Sequence, residues 1–284
     1  MLRADSSVIT LTKNNRERLS CAARVPEMKF SGLTDIGRFR SENQDYFLIT
    51  PLTDTALLAV VCDGMGGAAG GKIASTLAAS SFESAVIAGI AERNLDLCDK
   101  TDDNLAILEE VLKEAVRIAN REVFSYAKDS VDLVGMGTTL VACLVIGNEC
   151  IICNVGDSRL YHFTSRSMRQ ITRDHSYVQM LIDTGRLEPQ LAAAHPDRNI
   201  IMRAVGTRAG VTAETFRLTL SEKESLLLCS DGLYGYASHE VIYSIVWGNE
   251  AIFYESEETK VQKLIDAANQ GGGRDNITAV LLTY

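Results

Sequence analysis

Proline is scarce in this 284-residue chain, which has only four, and no low-complexity tract or internal repeat interrupts it. No linker therefore announces a domain boundary. Positive charge is also in short supply: 28 Lys and Arg stand against 37 Asp and Glu, a formal net charge of −9. Nonspecific attraction to nucleic acid or to an anionic membrane needs a field of the opposite sign. No uninterrupted apolar run reaches the ~18 residues of a membrane span. The first stretch, MLRADSSVITLTKNNRER, mixes charge and polarity where a signal peptide needs an apolar core. These absences predict a cytoplasmic protein with neither a nucleic-acid nor a membrane partner. The composition, 46% hydrophobic and 23% charged, is that of a globular chain able to bury a core.

A regular, even-numbered cysteine framework is missing too. Seven cysteines are irregularly spaced (Cys21, Cys62, Cys98, Cys143, Cys150, Cys153 and Cys229), five of them inside apolar runs, which predicts reduced, buried thiols. Cys150 and Cys153 form a Cys-x-x-Cys pair, but in a strand their side chains point to opposite faces and chelate poorly.

What is present is a mixture of strand and helix patterns. Short runs rich in Val, Ile, Leu and Cys, bounded by Gly, Asp or Asn, predict strands at 56–63, 138–147, 149–155, 158–163, 225–231 and 276–283. Helical periodicity runs over 71–90 and over 103–124, where Leu105, Leu108, Leu112, Ala115, Ile118 and Ala119 share a face. Shorter helices fit 174–184, 238–247 and 258–269. The turns Gly147-Asn148 and Gly156-Asp157 join consecutive strands, which predicts antiparallel hairpins rather than βαβ crossovers. The expected class is α+β, with sheets packed face to face and helices outside. Residues 1–28 carry no periodicity or motif and are expected to be an extension or edge strand; 29–284 are expected to form one domain.

The chemistry is concentrated in aspartates at strand ends. Asp63 follows LLAVVC, Asp157 lies in NVGDSR, Asp231 follows LLLCS and Asp275 precedes the last strand. A single Asp in such a place is most often a turn residue. Several carboxylates delivered to one rim are another matter, because their mutual repulsion is tolerable only with a balancing cation, and hard ions such as Mg²⁺ and Mn²⁺ prefer oxygen ligands.

The strings around these residues, in order, are TDIGRFRSENQD (34–45), VCDGMGG (61–67), GMGTTLVACLV (135–145), NVGDSRLY (154–161), ITRDHS (171–176), HPDRNIIMRAVG (195–206), LLLCSDGLYG (226–235) and GGGRDNITAVLL (271–282). This set resembles the motifs of the metal-dependent protein phosphatases of type 2C in their bacterial form, from about Ser31 to Leu282. The resemblance implies an α/β/β/α sandwich of two antiparallel sheets flanked by helices, with a metal centre at one end. It implies a Ser/Thr phosphatase that hydrolyses phosphoserine and phosphothreonine by a water activated at two Mn²⁺ or Mg²⁺ ions, acting on proteins phosphorylated by a Ser/Thr kinase. Carried over by motif, Asp63 bridges the two metals, the Gly64 carbonyl helps bind one, Asp231 and Asp275 hold the other, and Asp157 serves a third, weaker ion. Arg40 matches the arginine that binds substrate phosphate, for which a guanidinium fork is suited; Arg38 is expected to be an ordinary surface residue. Gln44 and Asp45 fall around the metal-bound water.

Three departures from the animal pattern stand out. Gln44 replaces a Glu, and Met65 replaces a His proposed as general acid, a proton that a thioether cannot give. His175 and His195 are the nearest substitutes, and both are expected to be exposed loop residues. The stretch from His175 to Arg198 resembles the bacterial flap over the site.

Rival patterns are weaker. Gly66-x-x-x-x-Gly71-Lys72 approaches a P-loop, but Ile73 stands where Ser or Thr must hold Mg²⁺. Gly64-x-Gly66-x-x-Ala69 approaches a dinucleotide fingerprint, yet Asp63 would set a negative charge beside the pyrophosphate. The alternative from another class is a noncatalytic phosphoprotein-binding member of the same fold, against which the presence of all four aspartates and Arg40 argues.

Overall fold

In the computed structural model, residues 28–128, 133–248 and 255–284 are described. The extension or edge strand expected over 1–28 lies outside them, apart from Met28. In chain order the elements are β1 (Lys29–Asp35), β2 (Asp45–Pro51), β3 (Ala56–Met65), α1 (Gly67–Glu92), α2 (Asp102–Lys128), β4 (Gly137–Thr138), β5 (Leu140–Ile146), β6 (Glu149–Val155), β7 (Arg159–Phe163) and β8 (Met168–Gln170). They continue with α3 (Tyr177–Asp183), β9 (Glu214–Thr219), β10 (Ser225–Cys229), α4 (Asp231–Tyr234), α5 (His239–Val246), α6 (Glu257–Gln270) and β11 (Ile277–Thr283). One sheet has the order β1-β11-β10-β7-β8 and the other β2-β3-β5-β6-β9, with the short β4 paired to β3. Every pairing is antiparallel.

The central strands are apolar throughout because both of their faces are covered. On β5, Leu140, Ala142, Leu144 and Ile146 face the layer of α1 and α2, while Val141, Cys143 and Val145 face the other sheet. On β11, Ile277, Ala279 and Leu281 pack with α5 and α6, and Val280 and Leu282 fill the space between the sheets. A period of two thus distributes each strand between two cores. The result is the expected α/β/β/α sandwich. Cys150 and Cys153 belong to opposite faces of β6, and Cys62, Cys143, Cys150, Cys153 and Cys229 are buried free thiols. Cys98 departs from the expected reduced, buried state: it is exposed and disulfide-bonded.

One of the expected turns changes. The pair Gly147-Asn148 does turn a hairpin, β5 to β6, but Gly156-Asp157 does not: β6 pairs with β5 and β9 in one sheet, whereas β7 pairs with β10 and β8 in the other. The chain crosses between sheets there, through Gly156 at φ +109°, a conformation only glycine adopts freely. The segment Gly70–Glu92 of α1 is long and apolar enough by composition to cross a membrane. It packs against β2, β3 and α2, burying Ala74, Ala78, Ala79, Phe82 and Val86, so its apolar character is that of a core helix.

Helix α2 carries the expected stripe, with Leu105, Leu108, Leu112, Ala115 and Ala119 buried, joined by Val111, Val116 and Val123; Ile118 sits half-exposed at its margin. Two polar ties fasten this helix. Glu109 accepts from Thr215 (2.7 Å) and Arg217 (2.9 Å) of β9. Burial pushes its carboxyl up, but hydrogen bonds from Lys113, Thr215 and Arg217 prevail and hold it at about 2. Asn120, fully buried, donates to the Arg208 carbonyl (3.0 Å) and accepts the Gly206 N–H (2.8 Å). Asn120→Ala would strand that buried N–H, and urea unfolding should show a loss of about 1–3 kcal/mol; a loss within ~0.3 kcal/mol would show that the tie is not needed.

Candidate metal centre

The four motif aspartates arrive from both sheets at one end of the sandwich. Asp63 lies near the end of β3, directly opposite Asp45 of β2. Asp231 opens α4 just after β10, Asp275 precedes β11, and Asp157 sits at the crossover from β6 to β7. The backbone of Asp63 is gripped on both sides. Its N–H donates to Thr139 Oγ1 (2.8 Å), and its carbonyl accepts from Thr138 Oγ1 (2.8 Å) and the Thr139 N–H (2.9 Å). This Thr-Thr pair was visible within GMGTTLV, but its role depends on the β3–β4 pairing.

Asp45 is buried, and its Oδ2 accepts from Ser230 Oγ (2.7 Å) and Thr278 Oγ1 (2.7 Å), bridging the two sheets beneath the rim. Its Oδ1 is buried without a partner. Gly64 approaches α1 so closely that a Cβ would stand 2.1 Å from the Gly71 carbonyl oxygen. The Gln44 side chain lies beside the same turn, its Oε1 2.6 Å from the position of a Cβ on Gly71. Asn276 ties this loop to the Asp275 end, accepting from the Gln44 N–H (2.9 Å) and donating to the carbonyls of Ile36 and Glu42, both at 3.0 Å.

Arg40 donates to Asp275 Oδ2 at 2.8 Å. That bond, with the charges of Asp275, Asp63 and Asp231, raises the guanidinium pKa further against the opposing effect of burial. The phosphate-binding candidate and the carboxylates therefore occupy one rim.

The electrostatics are those of crowded acids. Burial, then Asp45, Asp231, Asp157 and Asp275, push the Asp63 carboxyl well above its ordinary range. Burial and Asp275 push Asp231 up to about 6, moderated by a hydrogen bond with Asp63. Burial, Asp231 and Asp174 push Asp157 up to about 8, and burial pushes Asp45 up to about 7 against the pull of Ser230 and Thr278. Among the described residues, no three His, Cys, Asp or Glu side chains close into a finished cation cage. The donor set nevertheless suits a hard divalent cation: carboxylate oxygens that repel one another, plus a buried carboxylate oxygen lacking a hydrogen bond.

A second group, legible only as Ser-Arg and Leu-Tyr in the motifs, fixes the Asp157 crossover. Arg159 forks onto Asp174 (2.7 Å from Nη2 to Oδ2) and stacks at 3.6 Å over the Tyr234 ring. Tyr234 in turn donates its hydroxyl to the Asp157 carbonyl (2.9 Å).

The histidines differ from expectation. His175 is buried, not exposed. Its Nδ1 accepts the Gly156 N–H (3.0 Å), and its backbone N–H donates to the Gly156 carbonyl (2.9 Å). A loop histidine is buried here because the segment returning through Met202 closes over it, the Met202 N–H donating to the His175 carbonyl (2.8 Å). His195 is half-buried, its Nδ1 accepting the Asp197 N–H (3.1 Å). Among the described residues, no histidine hydrogen-bonds a carboxylate of the cluster.

The protein phosphatase 2C family model matches residues 39–270. The serine/threonine phosphatase stp of Listeria monocytogenes serovar 1/2a is 36% identical over 252 residues, covering 88% of this chain and 93% of that protein. The structure of serine/threonine phosphatase Stp1 from Staphylococcus aureus is similar with a TM-score of 0.77 at 31% identity, covering 95% of this chain and 99% of that one. The catalytic domain of serine/threonine protein phosphatase PstP in complex with two manganese ions is similar with a TM-score of 0.69 at 32% identity, covering 90% and 97%.

Proposed function

The chain belongs to the protein phosphatase 2C family, and from that membership we propose that it removes phosphate from phosphoserine and phosphothreonine in protein substrates at the acidic rim. The observation that carries this assignment is the delivery of Asp63, Asp157, Asp231 and Asp275, with Arg40, to one end of the sandwich. Asp63, Asp231, Asp275 and the Gly64 carbonyl would hold two Mn²⁺ or Mg²⁺ ions, and Asp157 a third. Bound there, such cations lower the pKa of water and neutralise charge on the phosphoryl oxygens.

The remaining work falls to the chain. Thr138 and Thr139 fix the backbone of Asp63, and Asp45 holds the two sheets in register below it. Arg40 orients the substrate phosphate with its planar fork, directing the scissile phosphorus toward the ligand cluster. In the reaction the water oxygen adds to phosphorus as the bond to the seryl or threonyl oxygen breaks. With Met65 unable to donate, His175 held by Gly156 through Nδ1 and facing Arg203 and Glu214 through Nε2, and the His195 ring hydrogen-bonded only to the Asp197 N–H among the described residues, the leaving oxygen takes its proton from solvent. The substrates are products of a Ser/Thr kinase, and the enzyme works in the cytoplasm as a single catalytic domain over 29–284.

Phosphate release from a phosphothreonine peptide tests this, measured with Mn²⁺, with Mg²⁺ and with chelator. Turnover with a divalent ion and none with chelator is expected. Binding of the phosphopeptide without turnover in a folded protein would instead establish the noncatalytic alternative. Arg40→Ala should raise KM about tenfold or more with a smaller fall in kcat, as loss of a contact shared by ground and transition states does. Arg40→Lys should recover only part of the loss, because an ammonium lacks the bidentate fork. Unchanged kinetics in Arg40→Ala would move phosphate recognition to another residue.

A further inference from the structure

The loop from Ile36 to Arg40 and the turn from Gly273 to Asp275 form a rigid, cationic lip beside the acidic centre. The Arg38 N–H donates to the Gly273 carbonyl (2.7 Å), the Gly37 N–H donates to Asp35 Oδ1 (2.8 Å), and Asn276 holds the Ile36 carbonyl. The Arg38 side chain lies along Gly273, its Cγ 3.0 Å from where a Cβ there would stand. The Arg274 guanidinium is 5.8 Å from the centre of the Phe39 ring, and Phe39 is 69% exposed. Arg38 and Arg274 are also exposed. Among the described residues, neither has a carboxylate partner within an ion-pair distance. Asp35, the nearest acid in sequence to Arg38, is occupied by the Gly37 N–H and by Asn269, Glu42 is the other acid of that loop, and Asp275, next to Arg274, is taken by Arg40 and the Asn276 N–H.

On a chain of net charge −9, two guanidiniums and a solvent-facing aromatic ring held next to the substrate entrance need a reason. Structural ion pairing does not supply one for Arg38 or Arg274. Resting on the phosphatase assignment above, we infer that Arg38, Phe39 and Arg274 form a docking lip for acidic residues flanking the phosphorylated Ser or Thr of the substrate protein.

The chemistry is complementary in two respects. Aspartate or glutamate carboxylates match the guanidinium forks, and the exposed ring offers an apolar surface beside them. An extended peptide advances ~3.3 Å per residue, so positions within two or three residues of the phosphate reach a lip that adjoins Asp275 and Arg40. Selectivity follows from position: Arg40 takes the phosphate common to all substrates, while Arg38 and Arg274 distinguish one flank from another. Charges this exposed contribute modestly and are weakened by salt.

The experiment compares two phosphothreonine peptides that differ only in having Asp or Ser at the two positions on each side of the phosphothreonine. A small aryl phosphate without any flank serves as a third substrate, and all are assayed with Mn²⁺. The parent should favour the acidic peptide in kcat/KM by about tenfold at low salt, and the preference should shrink at ~0.5 M salt. The Arg38→Ala/Arg274→Ala double variant should bring the ratio near one and leave aryl phosphate turnover unchanged. Phe39→Ala should lower turnover of both peptides without changing their ratio. A parent ratio of one or below, or an acidic preference intact in the double variant, overturns the docking lip while leaving the phosphatase assignment standing. Failure to turn over any of the three substrates overturns both.

Discussion

Asp63→Asn is expected to lose metal-dependent phosphate release by more than the roughly 10–100-fold that removing a support of a metal ligand costs, while the chain stays folded. Asp63 faces Asp45 across the β2–β3 ladder and feels four other carboxylates, so it is the central charge of the cluster. The amide keeps the shape and removes the anion. A second signature separates loss of a ligand from loss of the fold. In chelator the variant should melt higher than the parent, because one of several repelling acids is gone. With Mn²⁺ the parent should gain stability as RT ln(1 + [L]/Kd) requires, and the variant should gain much less. Full activity in Asp63→Asn, or an equal Mn²⁺-induced shift of Tm, would remove Asp63 from the ligand set. Asp231→Asn should behave alike.

Metal removal should also invert the usual dependence of stability on pH. Asp231, Asp45 and Asp157 are pushed to about 6, 7 and 8, each chiefly by burial, whereas an unfolded Asp titrates near 3.9. Between about pH 4 and those values the folded chain holds protons that the unfolded chain has released, so stability falls as pH rises, at up to ~1.4 kcal/mol per pH unit for each proton held. Two groups act in the opposite sense. His175 is lowered by burial and by Arg203 against the pull of Glu214 and Asp174, and Glu109 is held at about 2. Glu109 matters only below about pH 4.5, and His175 is one group against four, since the Asp63 carboxyl is raised as well. Urea unfolding in chelator should therefore show stability declining from pH 5 to pH 8. With saturating Mn²⁺, which replaces protons on the carboxylates, the decline should vanish or reverse. Parallel pH profiles with and without metal would show that these acids do not bind it.

Much of this architecture can be read from the residues. The six strands expected from apolar runs are the interior ones, covered on both faces, and their Val, Ile, Leu and Cys content reports that burial directly. Apart from the two-residue β4, separated from β5 at the start of the strand expected over 138–147, the strands not expected are β1, β2, β8 and β9, and these are the four edges of the two sheets. Sequences such as KFSGLTD and ETFRLT are half-exposed and carry charge, as edge strands do to discourage further pairing, so a search for apolar runs passes over them.

The site divides in the same way. Residue types alone carry the chemistry: which carboxylates follow apolar strands, that a guanidinium precedes them, and that the thioether at position 65 cannot move a proton. Which of these groups meet is set by long-range packing. Gly156-Asp157 looks like any hairpin turn, yet it carries the chain from one sheet to the other because β7 finds its partner in β10, far along the chain. His175 looks like a loop residue until the returning segment buries it. Local preferences are encoded over a few residues, whereas the convergence of Asp63, Asp157, Asp231 and Asp275 depends on strand pairings between segments remote in sequence, which the packing of both sheets selects as a whole.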